Sequence, residues 1–139
     1  MSIAVVYWSG TGNTQAMAEA VAKGIAKGGA EAELLPVGQA DPAKIAAGDV
    51  FALGCPSMGA EELEESEMEP FVQALEGMAS GKRILLFGSY GWGDGEWMRT
   101  WESRCADDGA NRVCDSVICN DAPDDVALAE CNALGAALA

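Results

Sequence analysis

Six consecutive small residues, Ser9-Gly10-Thr11-Gly12-Asn13-Thr14, form the stretch of this chain best suited to hold an anion. Gly10 and Gly12 allow a sharp turn and close backbone approach, while Ser9, Thr11, Asn13 and Thr14 supply four short side chains able to donate to phosphate oxygens. The apolar run Ile3-Ala4-Val5-Val6-Tyr7-Trp8 precedes the loop and a segment of helical period follows it. The loop therefore reads as a strand-to-helix turn, with free N–H groups and the positive end of a helix dipole facing a ligand. It carries no Lys or Arg. A nucleoside triphosphate loop, G-x-x-x-x-G-K-[ST], needs its Lys, and the dinucleotide pattern G-x-G-x-x-G fails because its third Gly would fall on Gln15. A single terminal phosphate in an uncharged cradle fits what remains.

Two later stretches extend the cradle into a cofactor site. Gly54-Cys55-Pro56-Ser57-Met58-Gly59-Ala60-Glu61-Glu62 and Gly88-Ser89-Tyr90-Gly91-Trp92-Gly93-Asp94-Gly95 each follow an apolar strand. Together with Tyr7-Trp8 ahead of the first loop and Glu69-Pro70-Phe71 further on, these motifs resemble the short-chain flavodoxins of anaerobic bacteria, over nearly the whole chain and at matching spacings. The resemblance implies non-covalently bound FMN and a low-potential one-electron carrier rather than an enzyme. It assigns the cofactor to Trp8, Ser9, Gly10, Thr11, Gly12, Asn13 and Thr14, to Pro56, Ser57, Met58, Gly59, Ala60 and Glu61, to Ser89, Tyr90, Gly91 and Trp92, and to Asn120.

The isoalloxazine ring is flat and moderately polar, so it needs flanking apolar surface and a few hydrogen bonds at its edge. Trp92 can stack on one face and the polarizable thioether of Met58 can cover the other. By resemblance, Glu61 accepts from the flavin N3–H. The resemblance also implies that the peptide after Gly59 can reverse on one-electron reduction and so stabilise the neutral semiquinone; only a residue without Cβ takes the required positive φ at low cost. Ala60 stands where related chains often carry a polar residue. An FMN-dependent NAD(P)H:quinone reductase of the same fold is the alternative, although such relatives are usually longer, with an insertion near the second flavin loop. A regulatory receiver domain would want clustered aspartates at strand ends and a Lys, where this chain has Gly, Ser and Thr.

These loops need strands and helices to hold them. Strands are expected over 3–8, 32–37, 50–54, 83–88 and 112–119, with helices over 16–28, 66–77, 96–105 and 128–138 and a helical turn over 41–45. Met17, Val21 and Ile25 at i, i+4, i+8 make an apolar stripe, and Trp97 and Trp101 lie at helical spacing, so all five read as core. Asp41 is the expected N-cap before Pro42, and Pro36 suits a strand end or edge. Strict alternation of strands and helices implies a parallel sheet covered on both faces. The fold expected is a single α/β domain over 1–139, a three-layer αβα sandwich. The resemblance supplies a five-stranded parallel order of 2-1-3-4-5, the arrangement for which flavodoxin is the standard example, with FMN at the switch point.

Composition agrees with a carrier. Twenty-two acidic against eight basic residues give a net charge of −14, which argues against nucleic acid and anionic membranes and for basic partners. Glu61, Glu62, Glu64, Glu65, Glu67, Glu69, Asp94, Glu96, Asp121, Asp124 and Asp125 are all expected at the cofactor end, away from Lys23, Lys27, Lys44, Lys82 and Arg112. Carboxylates near the flavin, without a cation, disfavour added negative charge on the reduced ring and keep the potential low. Such a dipole would steer the protein toward basic-surfaced redox partners such as ferredoxin-type reductases and oxidoreductases. No apolar run spans a membrane, and Met1-Ser2 enters the first strand with no basic leader, so a cytoplasmic monomer is expected. The five cysteines have no C-x-x-C spacing, Cys105 stands one residue too far from Arg112 for a C-x5-R phosphatase loop, and there is no His. Metal, iron–sulfur and His-based hydrolytic chemistry are therefore disfavoured, and most of the thiols read as buried and reduced.

Overall fold

The computed structural model describes residues 2–139; Met1, and with it the reading of the chain's first residue, lies outside the described residues. Strands β1 (Ser2–Tyr7), β2 (Glu31–Pro36), β3 (Val50–Gly54) and β4 (Arg83–Tyr90) alternate with helices α1 (Asn13–Lys27), α2 (Pro42–Ala46), α3 (Met68–Leu75) and α4 (Glu96–Asp107). Two short strands, β5 (Asn111–Arg112) and β6 (Val117–Asn120), and helix α5 (Asp125–Leu138) complete the chain. All pairing between strands is parallel, in the order β2-β1-β3-β4, with β5 and β6 both on the outer side of β4. This is the expected 2-1-3-4-5 order with helices on both faces.

The continuous apolar strands are buried on two sides, and successive residues serve different layers. Val6, Phe51, Leu53, Ile84 and Leu86 pack with Phe71 and Val72 of α3 and with Trp97 and Trp101 of α4. Val5, Ala52, Leu85 and Phe87 pack instead with Met17, Val21 and Ile25 of α1 and Cys131 and Leu138 of α5. Met17, Trp97 and Trp101 are thus core, as their spacing predicts. Asp41 Oδ1 accepts the Ala43 N–H at 3.1 Å and caps α2 behind Pro42.

One expected strand is interrupted. Residues 112–119 do not form a single fifth strand; after Val113, whose N–H still reaches the Ile84 carbonyl at 3.0 Å, the chain leaves the ladder and rejoins β4 at Val117. Glu102 of α4 causes the departure by accepting from Arg112 Nη1 at 2.9 Å and Ser116 Oγ at 2.6 Å, and Asp115 within the gap disfavours a strand. The thiol expectation is also only partly met. Cys55 and Cys131 are buried, whereas Cys105, Cys114 and Cys119 are half-buried; all five are free.

Candidate functional site

The register levels the strand ends: Tyr7 pairs with Gly54 and Gly54 with Phe87. Hydrogen bonds continue past them from Trp8 N to Gly54 O at 3.0 Å, Cys55 N to Phe87 O at 3.1 Å and Ser57 N to Ser89 O at 3.0 Å. The loops after β1, β3 and β4 therefore leave the sheet side by side. Gly12, at φ +94°, bends the first loop into α1. Ser9 Oγ accepts the N–H groups of Gly12 at 3.1 Å and Gln15 at 3.2 Å, so this side chain braces the loop and keeps its own proton to donate. Asn13 and Thr14 open α1, where N–H groups have no intrahelical acceptor, and the first turn holds no acidic residue. Thr14, 1% exposed, accepts the Ser89 N–H at 3.4 Å and ties the first loop to the third.

In the second loop Met58 and Glu62 exchange two backbone hydrogen bonds of 2.8 Å, enclosing a tight turn with Gly59 at φ +52° and Glu61 at φ +55°. The third loop crosses to it. Trp92, half exposed, donates its indole N–H to the Gly59 carbonyl at 3.1 Å. Between the three loops lies a cleft of about 340 Å³ lined by Trp8, Gly10, Thr11, Asn13, Pro56, Ser57, Met58, Ser89, Tyr90, Gly91 and Trp92. All eleven were named from the sequence. Ser9, Gly12 and Thr14 shape the first loop behind this lining, while Gly59, Ala60 and Glu61 form the turn beyond Met58 and are not among the residues that line the cleft. Asn120 donates its side-chain amide to the Tyr90 carbonyl at 3.2 Å and supports the third loop. The Glu61 carboxylate is engaged outside the cleft, accepting the Glu96 N–H at 3.1 Å.

One participant was expected only as an acid of the cofactor end, and a second escaped the sequence reading. Asp121, at φ +56°, joins the cleft lining through its own N–H bond of 2.8 Å to the Tyr90 carbonyl. Its position directly after a strand end was the available signal. Arg99 brings a cation to the cofactor end, where it pairs with Asp94 at 2.8 Å. That hydrogen bond and the Arg99 charge lower the Asp94 pKa. Behind the site, Cys55 is fully buried; desolvation pushes its thiol up to about 12, so it is protonated at neutral pH.

The chemistry of the donor set suits FMN. The cleft falls in the size range of small-molecule sites, with an uncharged anion cradle at one end and Met58 and Trp92 at the other. Ser57 is among the lining residues, and its buried Oγ has no hydrogen-bond partner among the described residues, which calls for a polar atom to satisfy it. The topology and the site together define a doubly wound α/β nucleotide-binding domain.

Comparison with known proteins sharpens this class. The flavodoxin family model matches residues 5–135. The flavodoxin of Megasphaera elsdenii is 46% identical over 137 residues, 99% of this chain and 98% of its own. That of Clostridium beijerinckii is 46% identical over 121 residues, 87% of this chain and 88% of its own. The solution structure of two-electron reduced M. elsdenii flavodoxin superposes with a TM-score of 0.88 at 43% identity, covering 99% of both chains. The chain belongs to the flavodoxin family. It is accordingly an FMN-binding electron carrier that works with redox partners and not an enzyme; the quinone-reductase alternative finds no support among these relatives. No helix among the described residues is long and apolar enough to cross a membrane.

Proposed function

We propose that residues 1–139 act as one domain and as a monomeric, cytoplasmic, low-potential carrier of single electrons between basic-surfaced redox proteins, including ferredoxin-type reductases. Ser9, Thr11, Asn13, Thr14 and the first amides of α1 would hold the phosphate. Met58 and Trp92 would flank the ring, Ser57 would meet one of the cofactor's polar atoms, and Gly59, Ala60 and Glu61 would border its outer edge. Bound FMN supplies the one-electron redox chemistry. The protein's part is to bind, to orient and to set the surrounding charge. Asp121 lines the cleft, Glu62 and Glu65 line an adjoining pocket that shares Trp8 and Met58 with it, and the guanidinium of Arg99 is paired with Asp94. Such a field disfavours additional negative charge on the cofactor and attracts cationic partners.

The observation that carries the reading is the joining, in one cleft, of a cradle without cations to an exposed Trp92 and the unpartnered Ser57 hydroxyl. Its test is a titration of FMN and of riboflavin into the flavin-free chain, read by quenching of tryptophan fluorescence. One equivalent of FMN should bind, and riboflavin, lacking the phosphate, should bind at least about a hundredfold more weakly. Equal affinities would remove the phosphate cradle from the account. Steering toward basic partners would show as reduction rates that fall with rising ionic strength.

A further inference from the structure

Helix α4 follows the third loop, yet its second residue reaches back to the root of the second. Trp97 is 1% exposed, and its indole N–H donates to the Cys55 carbonyl at 3.0 Å. Cys55 is the first residue beyond β3 and stands directly ahead of Pro56, Ser57 and Met58, which line the cleft. The same indole lies against Tyr90, a lining residue of the third loop, with ring centroids 5.5 Å apart and planes tilted by 49°. One buried side chain therefore touches both loops. Gly88 leaves room for the contact, since a Cβ there would collide with the Cys55 carbonyl and press on the indole. Trp101, one turn further along α4, is the contrast. It is equally buried, but its indole N–H has no hydrogen-bond partner among the described residues, and it lines a small cavity with Phe51 and Ile84, toward the strand starts. Both tryptophans fill core, but only the one at 97 spends its N–H on a loop of the cleft.

We infer that Trp97 is a positioning residue that ties the second loop to the third from behind, setting the spacing between the segments that carry Met58 and Trp92 before ligand arrives. A buried carbonyl is costly to leave without its donor, so the fold holds this bond in place. The tie belongs to the protein alone; only its effect on flavin affinity rests on the reading that these two loops take the ring. Preorganisation of this kind strengthens binding by reducing the ordering that ligand must impose.

The test compares the full-length chain with Trp97→Phe, with Trp101→Phe, and with a variant carrying at position 97 the benzothiophene analogue of tryptophan, in which sulfur replaces the N–H at nearly unchanged shape. In the flavin-free proteins, the amides of Cys55 and Ser57, which donate to Phe87 and Ser89, are followed by hydrogen exchange relative to the amides of β1. Both changes at 97 should speed them roughly tenfold, and Trp101→Phe should match the parent. With ligand, both changes at 97 should raise the dissociation constants of FMN and of riboflavin by the same factor, roughly tenfold, because the loss falls on the ring and not on the phosphate. The visible circular dichroism of the bound flavin should change with them. Trp101→Phe, with affinities referred to the folded fraction, should leave all three readouts unchanged. Should Trp97→Phe not fold, the near-isosteric analogue still decides. An equal loss in Trp101→Phe, parent-like behaviour of the analogue, or a loss confined to FMN would overturn the proposal. If the parent chain binds no flavin, the functional reading fails while the exchange rates still decide the tie.

Discussion

The indole N–H of Trp92 donates to the carbonyl of Gly59 across 3.1 Å, so the side chain placed to cover the ring is tethered to the turn on the cleft's other side. Trp92→Phe keeps an aromatic face but releases that tether. FMN affinity should fall about fivefold, the worth of one neutral hydrogen bond of about 1 kcal/mol. Trp92→Ala removes the face as well and should lower affinity roughly tenfold to a hundredfold, by analogy with base–aromatic stacking. Fluorescence titration distinguishes the two losses.

Gly59 sits at φ +52°, and a Cβ there would meet no neighbouring atom. Gly59→Val should therefore act through backbone strain and not through collision, at a cost of roughly 1–2 kcal/mol. A spectroscopic reductive titration should show the two one-electron midpoint potentials drawn closer together. Unchanged separation would mean that the turn's conformational freedom is irrelevant to the redox steps.

Glu64, 5% exposed, accepts N–H groups from Ser66 at 2.7 Å, Glu67 at 2.8 Å and Met68 at 3.0 Å, and also the Ser66 hydroxyl. Burial raises its pKa, but these hydrogen bonds together outweigh burial and leave it below the usual carboxylate value. A depressed folded pKa means stability that is present above the unfolded value of about 4.3 and is lost as pH falls through the lower folded one. Glu64→Gln should thus destabilise the protein by about 1–2 kcal/mol at pH 7. The difference should shrink steadily below pH 4 in urea unfolding series. Glu69, lowered chiefly by its two hydrogen bonds to Arg104, steepens the acid loss in both proteins.

Helices α1 and α5 meet backbone to backbone. A Cβ on Gly135 would overlap the Val21 carbonyl, and one on Gly24 would overlap the Asn132 carbonyl. Alanine favours a helix over glycine by about 1 kcal/mol, yet overpacking costs typically 1–3 kcal/mol, and here the obstacle is main chain that no rotamer change relieves. Gly135→Ala and Gly24→Ala should each lower the urea midpoint. FMN affinity of the folded fraction should not change, because the contact lies on the helices away from the cleft lining.

The thiols should divide by burial. Desolvation pushes Cys55 and Cys131 up to about 12, so iodoacetamide at pH 8 should leave both unmodified in the folded protein. Cys114 and Cys119, only partly buried, should react. Mass mapping before and after unfolding checks the order.

The sequence disclosed what local pattern controls. Apolar runs and helical stripes marked the strands, the core tryptophans and the three loops, because each is set by residues close together in the chain. Contacts between distant segments stayed hidden. The break after Arg112 depends on Glu102, an acid on the preceding helix; the engagement of Glu61 depends on where Gly93 and the start of α4 come to rest. Ser9 illustrates the boundary. Its hydroxyl was recognisable as a site residue, but its service as a double acceptor within the loop required coordinates.

The interrupted outer strand has a consequence for behaviour in crowded solution. A straight exposed margin invites pairing with a neighbouring molecule, whereas this margin is kinked between Arg112 and Val117 and carries Asp115 at the kink. A second copy approaching edge-on finds no uninterrupted row of amides and carbonyls to zip against, which protects an apolar sheet from self-aggregation.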